Sequence, residues 1–306
     1  MRLRVATRGS ALARWQAADV ARRLGEAHPA LDVEMVVLDA TGDRHPDVAV
    51  WEMGGQGVFV KEVQAAVLDG RADVAVHSAK DLPSLTGAGL SLAAVPVRAD
   101  ARDALVGVTL EQLAPGATVA TGSVRRRAQL AWVRPDLSFT GLRGSIATRL
   151  DRVPPGGVMV VAVAALERLG LLDRVAQVLG EDLMVPQVAQ GAIGVECRAA
   201  DVATAALLQA IDDPVARAEV EAERAYLARL GGGCDLPVGA RAHLEADGSL
   251  TVEGMLASLD GRVVLRGARS GRAEERATLG RELAEDLLAA GGAEVLGAGG
   301  GPAGTP

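Results

Sequence analysis

The sequence is poor in aromatic residues, and it has two cysteines. Phe, Trp and Tyr make up 2% of its 306 residues, so an aromatic surface that stacks on nucleic-acid bases is not expected. Cys197 and Cys234 form no Cys-x-x-Cys motif and have no metal-ligand spacing with histidine. No metal site is predicted. A disulfide is formally possible, but two free thiols are the better prediction for a cytosolic chain.

Lysine and long apolar runs are also scarce. Lys61 and Lys80 are the only lysines, and every other cationic side chain apart from histidine is an arginine. The net charge of −7 disfavours nonspecific binding to nucleic acid. The segment Met1–Arg8 has no apolar signal core, and the longest apolar run, Val158–Leu166, is too short to span a bilayer. A cytoplasmic protein without nucleic-acid or membrane partners is therefore predicted.

The first two thirds of the sequence alternate between short β-branched runs and helical patterns, which is typical of βαβ units with a parallel sheet. The predicted strands are Leu3–Thr7, Val33–Leu38, Val74–His77, Thr118–Thr121, Leu137–Gly141 and Val158–Val163. The predicted helices are Ala11–Glu26, Phe59–Asp69, Val124–Val133, Ile146–Arg152 and Val202–Ile211.

A weak internal sequence repeat indicates that the first two thirds of the chain form two similar halves. Val5–Ser10 and Val119–Ser123 both read as a strand, a small-residue turn with a hydroxyl, and a helix start. Such a turn directs backbone N–H groups at a bound anion, although helix capping by serine explains any single case. The segments Val95–Asp103 and Met184–Gln190 are the predicted crossings between the halves. We predict a first α/β lobe from residues 1–96 and 190–210, a second from residues 99–186, and a cleft that hinges between them.

The last third has a different pattern. A helix is predicted over Pro214–Leu230, and two Asp-Gly turns indicate an antiparallel meander. Its predicted strands and final helix are Val238–Leu244, Leu250–Leu256, Val263–Ala268 and Ala273–Ala290. We predict a small α+β domain over residues 214–296 and a flexible glycine-rich tail over 297–306.

Polar residues follow one of the predicted strands directly. Ser78, Lys80 and Asp81 come after the apolar run Val74–His77. Ligands of open α/β sheets bind outside the carboxyl ends of strands, so these side chains are expected to face a cleft. The alternative is a solvated loop with a surface Lys–Asp pair, which contributes little.

Several arginines also follow predicted strands or stand at helix starts: Arg8, Arg125, Arg126, Arg127, Arg143 and Arg149. Guanidinium groups placed there bind carboxylates or phosphates bidentately. An arginine-rich helix surface explains some of them, and Arg127 and Arg134 are predicted to belong to that class. The clustering after several different strands predicts a polyanionic ligand in the cleft.

Three glycines precede Cys234, and they allow a loop to approach other groups closely. A cysteine there is predicted to be accessible, and it becomes nucleophilic if nearby cations favour the thiolate. Cys197 instead stands in an apolar stretch and is predicted to be buried.

Taken together, these segments resemble the porphobilinogen deaminase family over nearly the whole chain. The resemblance is carried by Arg4–Ser10, Gly57–Glu62, Ala75–Pro83, Thr121–Arg126, Leu142–Arg149, Gln190–Arg198 and Gly232–Cys234. The order and spacing of so many short motifs is specific, whereas no single motif is. The resemblance implies an α/β fold of two periplasmic-binding-protein-like lobes with mixed sheets, plus a small C-terminal α+β domain.

The resemblance also implies a transferase of porphyrin biosynthesis. Such an enzyme condenses four porphobilinogen molecules into hydroxymethylbilane, acts as a monomer, and carries a dipyrromethane cofactor. The implied cofactor attachment is a thioether to Cys234, and the implied catalytic carboxylate is Asp81. The other implied cofactor-binding residues are Lys80, Ser78, Thr121, Ser123, Arg125, Arg126 and Arg149. The implied substrate-binding residues are Arg8, Ser10, Arg143 and Arg168.

Three positions depart from the family pattern. Glu52 and Gln56 stand where lysine is frequent, and Ser145 stands where asparagine is common. The loop 42–57 is therefore a weaker source of positive charge, although it is still a candidate for a mobile lid.

Two other functions fit parts of the sequence. A solute-binding protein or sensor with the same two lobes leaves the Cys234 loop without a role. A cysteine-dependent transferase or hydrolase needs a histidine near Cys234, whereas His77 is interpreted as a strand-end residue with a satisfied hydrogen bond.

Overall fold

The structure is a computed structural model that describes residues 1–38, 60–142, 144–232 and 236–297. The strands are β1 (Arg2–Arg8), β2 (Asp32–Leu38), β3 (Val74–Ser78), β4 (Leu90–Ala94), β5 (Asp103–Val106), β6 (Thr118–Ala120), β7 (Ser138–Thr140), β8 (Val158–Ala162), β9 (Val175–Val178), β10 (Ile193–Arg198), β11 (Val238–Leu244), β12 (Ser249–Ala257) and β13 (Val264–Arg272). The α-helices are α1 (Ala11–Ala27), α2 (Lys61–Leu68), α3 (Val124–Val133), α4 (Ile146–Leu150), α5 (Val163–Arg168), α6 (Val202–Leu208), α7 (Pro214–Arg229), α8 (Arg276–Leu287) and α9 (Ala293–Gly297). Shorter 3-10 turns are Ala79–Asp81, Leu172–Arg174, Gln209–Ile211 and Ala273–Glu275.

The first sheet has the strand order β2-β1-β3-β10-β4. β1 is parallel to β2 and β3, whereas β10 is antiparallel to β3 and β4. The second sheet has the order β7-β6-β8-β5-β9, in which β6 is parallel to β7 and β8 and β5 is antiparallel to β8 and β9. Both sheets are mixed, so the fold class that the family resemblance implies is confirmed. The parallel pairing that the alternating pattern predicts is present between β1, β2 and β3 and between β6, β7 and β8, but not at β5 and β10.

The reversed strands arise where the chain passes between the sheets. β5 follows the first crossing and β10 follows the second, so each enters its sheet from the side of the other sheet. The sequence analysis missed both, together with β4, β9 and α5. The predicted crossing Val95–Asp103 is also too long by one residue, because Asp103 begins β5.

The two crossings lie against each other. The backbone N–H of Ala99 donates to the carbonyl of Gly191 at 3.2 Å. The Arg98 Nε donates to the carbonyl of Gln190 at 2.9 Å. The first crossing is therefore hydrogen-bonded to the C-terminal end of the second.

The core of the first sheet shows why α1 packs on it. Ala17, Val20 and Leu24 recur at helical spacing on one face of α1 and are fully buried against Leu3 and Val5 of β1. Burying each Val or Leu side chain contributes about 1.5–3 kcal/mol. This packing places the N-terminus of α1 beside the carboxyl end of β1.

The third sheet is antiparallel, in the order β11-β12-β13, and α7 and α8 pack on it. Tyr226 of α7 is fully buried, and its hydroxyl donates to the Met255 carbonyl at 2.9 Å. The predicted helix Ala273–Ala290 is found as the 3-10 turn Ala273–Glu275, the helix α8 and the start of the π-helical segment Leu288–Gly292. Gly291, with a φ of 105°, breaks the helical backbone one residue after the predicted end. The predicted tail begins at Gly297, which ends α9, and residues 298–306 lie outside the described residues.

Candidate active site

The two predicted anion-binding turns have the same local construction. Ser10 accepts a hydrogen bond from the Ala13 N–H at 3.3 Å and caps α1. Ser123 accepts one from the Arg126 N–H at 3.4 Å and caps α3. Thr121 adds a second hydroxyl, whose oxygen accepts from the Ser123 N–H at 3.2 Å. Both helices therefore start directly after strands of the parallel part of each sheet, with their positive ends at the carboxyl edge.

Asp81 and Arg8 come together at the carboxyl edge of the first sheet. Asp81 ends the 3-10 turn that follows β3, and Arg8 ends the neighbouring strand β1. The Arg8 Nη1 lies 3.9 Å from the Asp81 Oδ2, and the Asp81 side chain is 31% exposed. The carboxylate is thus held beside a cation while remaining accessible to a ligand.

Lys80 points into a more enclosed environment than Asp81. Its Nζ donates to the Gln190 Oε1 at 3.3 Å. Desolvation of the ammonium group and repulsion by Arg126 lower the pKa of Lys80 to about 8, although Asp81 and Asp103 oppose the shift. A negatively charged ligand would restore the stability of the protonated form.

The guanidinium groups of Arg125 and Arg126 share one buried carboxylate, Asp103. The Arg125 Nη2 donates to the Asp103 Oδ2 at 2.6 Å, and the Arg126 Nη2 donates to the Asp103 Oδ1 at 2.7 Å. Burial alone would raise the pKa of Asp103, but the two guanidinium groups hold it far below its ordinary value. The sequence analysis missed Asp103, because a single Asp after a crossing carries no local signal.

The donor set of this region fits a cofactor that carries several carboxylates. Four cations, Lys80, Arg125, Arg126 and Arg8, surround two carboxylates, Asp103 and Asp81. The Nε of Arg125 is buried and has no hydrogen-bond partner among the described residues. An excess of positive charge and an unused donor are the features that an acidic ligand satisfies.

Two further predicted site residues have well-defined partners. The Ser78 hydroxyl exchanges hydrogen bonds with the side-chain amide of Gln16, with distances of 2.9 and 3.1 Å. The Arg168 Nη2 donates to the Gly191 carbonyl at 2.7 Å, and its guanidinium lies 5.5 Å from the centre of the Trp15 ring. Arg168 thus links α5 of the second sheet to α1 and to the second crossing.

The remaining predicted site residues are less defined. Arg149 lies in the last turn of α4, a helix capped by Ser145, so serine replaces the expected asparagine as a helix cap. Arg143 and Cys234 lie outside the described residues, as does the loop 42–57 with Glu52 and Gln56.

Two interpretations of surface arginines are confirmed. Arg127 is exposed, and its guanidinium lies 5.7 Å from the centre of the Phe139 ring. Arg134 pairs with Asp136 at 2.7 Å at the far end of α3. Cys197 is fully buried in β10, as predicted.

The interpretation of His77 is wrong in one respect. Its Nε2 lies 3.2 Å from the Glu196 Oε2 but has no hydrogen-bond partner among the described residues. The same Glu196 oxygen accepts from the Gln64 Nε2 at 2.8 Å. His77 is buried and faces Glu196 of the sheet.

The described residues contain neither a membrane-spanning helix nor a cluster of metal-binding side chains. Within the described ranges, no helix is both long and apolar enough to cross a bilayer. Those residues also contain no group of three or more His, Cys, Asp or Glu side chains that could hold a metal ion.

Two family models and several curated relatives match this chain, and the family they name has a cofactor-binding domain. Residues 3–206 match the family model described as porphobilinogen deaminase, dipyromethane cofactor binding domain. Residues 217–289 match the model for the porphobilinogen deaminase C-terminal domain. A porphobilinogen deaminase of Roseiflexus castenholzii is 48% identical over 96% of this chain and 98% of its own length. One from Moorella thermoacetica is 46% identical over 96% and 95%, respectively.

Proposed function

The chain belongs to the porphobilinogen deaminase family, and we propose that Asp81 and the cations around it carry out that family's reaction in this protein. The family is one of transferases with a dipyrromethane cofactor. The reaction joins four porphobilinogen molecules head to tail with loss of ammonia, and its product is hydroxymethylbilane.

The observation that supports the assignment of residues is the excess of positive charge beside a partly exposed carboxylate, Asp81. Each porphobilinogen has two carboxylates, so every addition brings two negative charges into the cleft. Arg8 and Lys80 flank Asp81 directly, and Arg125 and Arg126 lie behind Lys80. A cleft with this charge favours an acidic ligand and offers one carboxylate for chemistry.

Asp81 is the proposed catalytic carboxylate. Loss of ammonia leaves a cation on the incoming substrate, and a carboxylate near its pyrrole N–H stabilises that cation. The same carboxylate can take part in the proton transfers that accompany ammonia loss and bond formation. The Nη1 of Arg8 lies 3.9 Å from this carboxylate and places a positive charge beside it.

We propose that the chain holds dipyrromethane through a thioether to Cys234. When bound, the cofactor supplies the nucleophilic pyrrole carbon to which the first substrate is joined. The residues proposed to hold its acidic side groups are Lys80, Ser78, Thr121, Ser123, Arg125, Arg126 and Arg149. The buried Nε of Arg125, with no partner among the described residues, supports this assignment.

Arg8, Ser10, Arg143 and Arg168 are proposed to bind the substrate. Support differs among them: Arg8 adjoins Asp81, and Ser10 caps a helix that points at the same edge. Arg168 is engaged with Gly191 and Trp15, so it contributes to substrate binding only if that contact opens.

We further propose a cytoplasmic monomer that takes porphobilinogen as its substrate and binds neither nucleic acid nor membranes. Its domains are proposed to be residues 1–96 with 190–210, residues 99–186, and residues 214–296. The strands of the three sheets fall within these ranges, which supports the division.

Replacement of Asp81 tests the catalytic assignment. Asp81→Ala should keep the melting temperature of the parent and abolish tetrapyrrole formation, because no other group replaces the carboxylate. The measurement is product absorbance after oxidation to porphyrin. Asp69→Ala is the matched control, because Asp69 pairs with Arg71 at the surface, where its side chain is 62% exposed. Turnover near the parental rate in Asp81→Ala would refute the assignment.

Intact mass tests the attachment of the cofactor. The parent protein should weigh more than its polypeptide by the mass of two linked pyrroles, and Cys234→Ser should lack that mass. Cys197→Ser is the control, since Cys197 is buried in β10. A parent protein without extra mass, even after incubation with porphobilinogen, would overturn the proposal.

A further inference from the structure

Asp103 is the centre of a buried hydrogen-bond network that no site assignment above includes. It is fully buried at the start of β5. Its Oδ2 accepts from the Arg125 Nη2 at 2.6 Å. Its Oδ1 accepts from the Arg126 Nη2 and Nε at 2.7 and 3.1 Å, and from the Gln190 Nε2 at 2.9 Å. A carboxylate therefore orients three side chains at once.

The network extends to the first sheet through Gln190. The Gln190 amide donates to Asp103 and, through its oxygen, accepts from the Lys80 Nζ at 3.3 Å. Lys80 follows β3 of the first sheet, whereas Arg125 and Arg126 begin α3 beside the second. Asp103 and Gln190 thus connect the cations of both sheets across the cleft.

Each guanidinium is held at two points. The Arg125 Nη1 donates to the Val185 carbonyl at 2.6 Å, and the Arg126 Nη1 donates to the Val160 carbonyl at 3.0 Å. With the carboxylate on one side and a carbonyl on the other, neither planar group can rotate freely. Their unused N–H groups consequently point in fixed directions.

We propose that Asp103 is a positioning residue, which with Gln190 sets the orientation of Arg125, Arg126 and Lys80 toward the acidic groups of the bound pyrroles. The inference rests on the proposed function, since it concerns the same cations. A network that served stability alone would balance its charges, whereas here two guanidinium groups share one buried carboxylate and the Nε of Arg125 has no hydrogen-bond partner among the described residues. The unbalanced charge is what a ligand completes.

Asp103→Asn keeps the shape of the side chain and removes its charge. Asp136→Asn is the matched control, because Asp136 also pairs with an α3 arginine, Arg134, but at the exposed end of the helix. With the positioning carboxylate gone, we expect KM for porphobilinogen to rise by at least about tenfold, or the cofactor to be absent from the intact mass. Asp136→Asn should match the parent in both measurements.

A second readout separates positioning from general stability. Lys80 is faced by Asp81 on its own turn, by Asp103 on β5, and by Arg125 and Arg126 on α3. Because Asp103 favours the protonated lysine, its neutralisation should lower the pKa of Lys80 relative to that in the parent protein. Protein labelled with carbon-13 at the lysine Cε gives two resonances, and Lys61 at the start of α2 is the internal reference.

Gln190→Met is a second variant that tests the same proposal if Asp103→Asn does not fold. This variant leaves all the arginine contacts of Asp103 in place and removes the Gln190 side-chain oxygen, which accepts from Lys80. We expect a raised KM and a shifted Lys80 resonance, with the Lys61 resonance unchanged.

The outcomes distinguish the two proposals. If the parent makes hydroxymethylbilane while Asp103→Asn, or Gln190→Met in its place, keeps the parental KM and Lys80 titration, the positioning role is wrong and the proposed function stands. If the parent itself makes no product, the proposed function fails first.

Discussion

Glu223 is the residue whose removal should most disturb the junction of the three sheets. It lies on α7 and is fully buried. Its carboxylate accepts from Arg98 of the first crossing at 2.7 and 3.0 Å. It also accepts from the backbone N–H of Ala189 in the second crossing at 2.6 Å, and from that of Ala242 in β11 at 2.9 Å. One side chain therefore ties both crossings to the C-terminal sheet.

Glu223→Gln removes the negative charge and keeps the volume. Breaking a buried ion pair by removing one partner costs about 3–5 kcal/mol, because the other charge stays buried. Arg98 is 5% exposed, but it keeps a contact with Glu219 at 3.3 Å and with the Gln190 carbonyl at 2.9 Å. We therefore expect the free energy of unfolding to fall by about 3 kcal/mol, near the lower end of that range.

Besides lowering the free energy of unfolding, Glu223→Gln should affect the backbone around Ala189. Its φ of 59° is the only positive value among the described non-glycine residues. Such a conformation costs about 1–3 kcal/mol and persists where neighbours hold it. Weakening its bond to Glu223 should speed hydrogen exchange in the second crossing beyond the general loss of stability.

Thermal and urea unfolding measure the change. A loss of about 3 kcal/mol corresponds to a melting temperature about 6 °C lower for a chain of this length. Glu285→Gln is the control, because its ion pair with Arg229 is exposed and contributes about 0–1 kcal/mol. A fall of less than about 2 °C in Glu223→Gln, or equal falls in both variants, would refute the reasoning.

Two further predictions follow from the site and from the packing. Because Lys80 is proposed to hold acidic groups of the cofactor and its pKa is lowered to about 8, loading of cofactor-free protein with porphobilinogen should weaken as the pH rises through about 8. Intact mass measures the loading, and equal loading well below and well above pH 8 would contradict this. Gly280→Ala should lower the free energy of unfolding by about 1–3 kcal/mol, because its Cβ would collide with the Ala222 carbonyl of α7. Gly25→Ala in α1, where nothing lies within 4 Å, should instead stabilise by about 0.5–1 kcal/mol, and urea unfolding compares the two.

Local patterns in the sequence predicted many elements accurately. The predicted α3, Val124–Val133, and β11, Val238–Leu244, have the observed bounds. Ser123 and the apolar periodicity mark the start and the buried face of α3, and both are local signals. The same is true of Asp81 and Arg8, since Arg8 ends β1 and Asp81 ends the 3-10 turn after β3, at the expected edge of the sheet.

The strands β5 and β10, which run antiparallel to their neighbours in the two mixed sheets, were not predictable in this way. β10 contains Gly194 and pairs with β3, more than a hundred residues earlier in the chain. Its assignment depends on a partner that no local window contains. The reversed direction of β5 and β10 follows from the path of the crossings, which is a tertiary property.

By itself, then, the sequence determined the fold class, the strand and helix starts that carry the candidate site, and the family. Those properties depend on periodicity, capping and motif order, which act over a few residues at a time. Only the tertiary structure decided that Arg125 and Arg126 bind Asp103, and that Gln190 joins Lys80 to the same carboxylate. A buried charge is stable only with partners around it, and here those partners lie 22, 23 and 87 residues away in the chain.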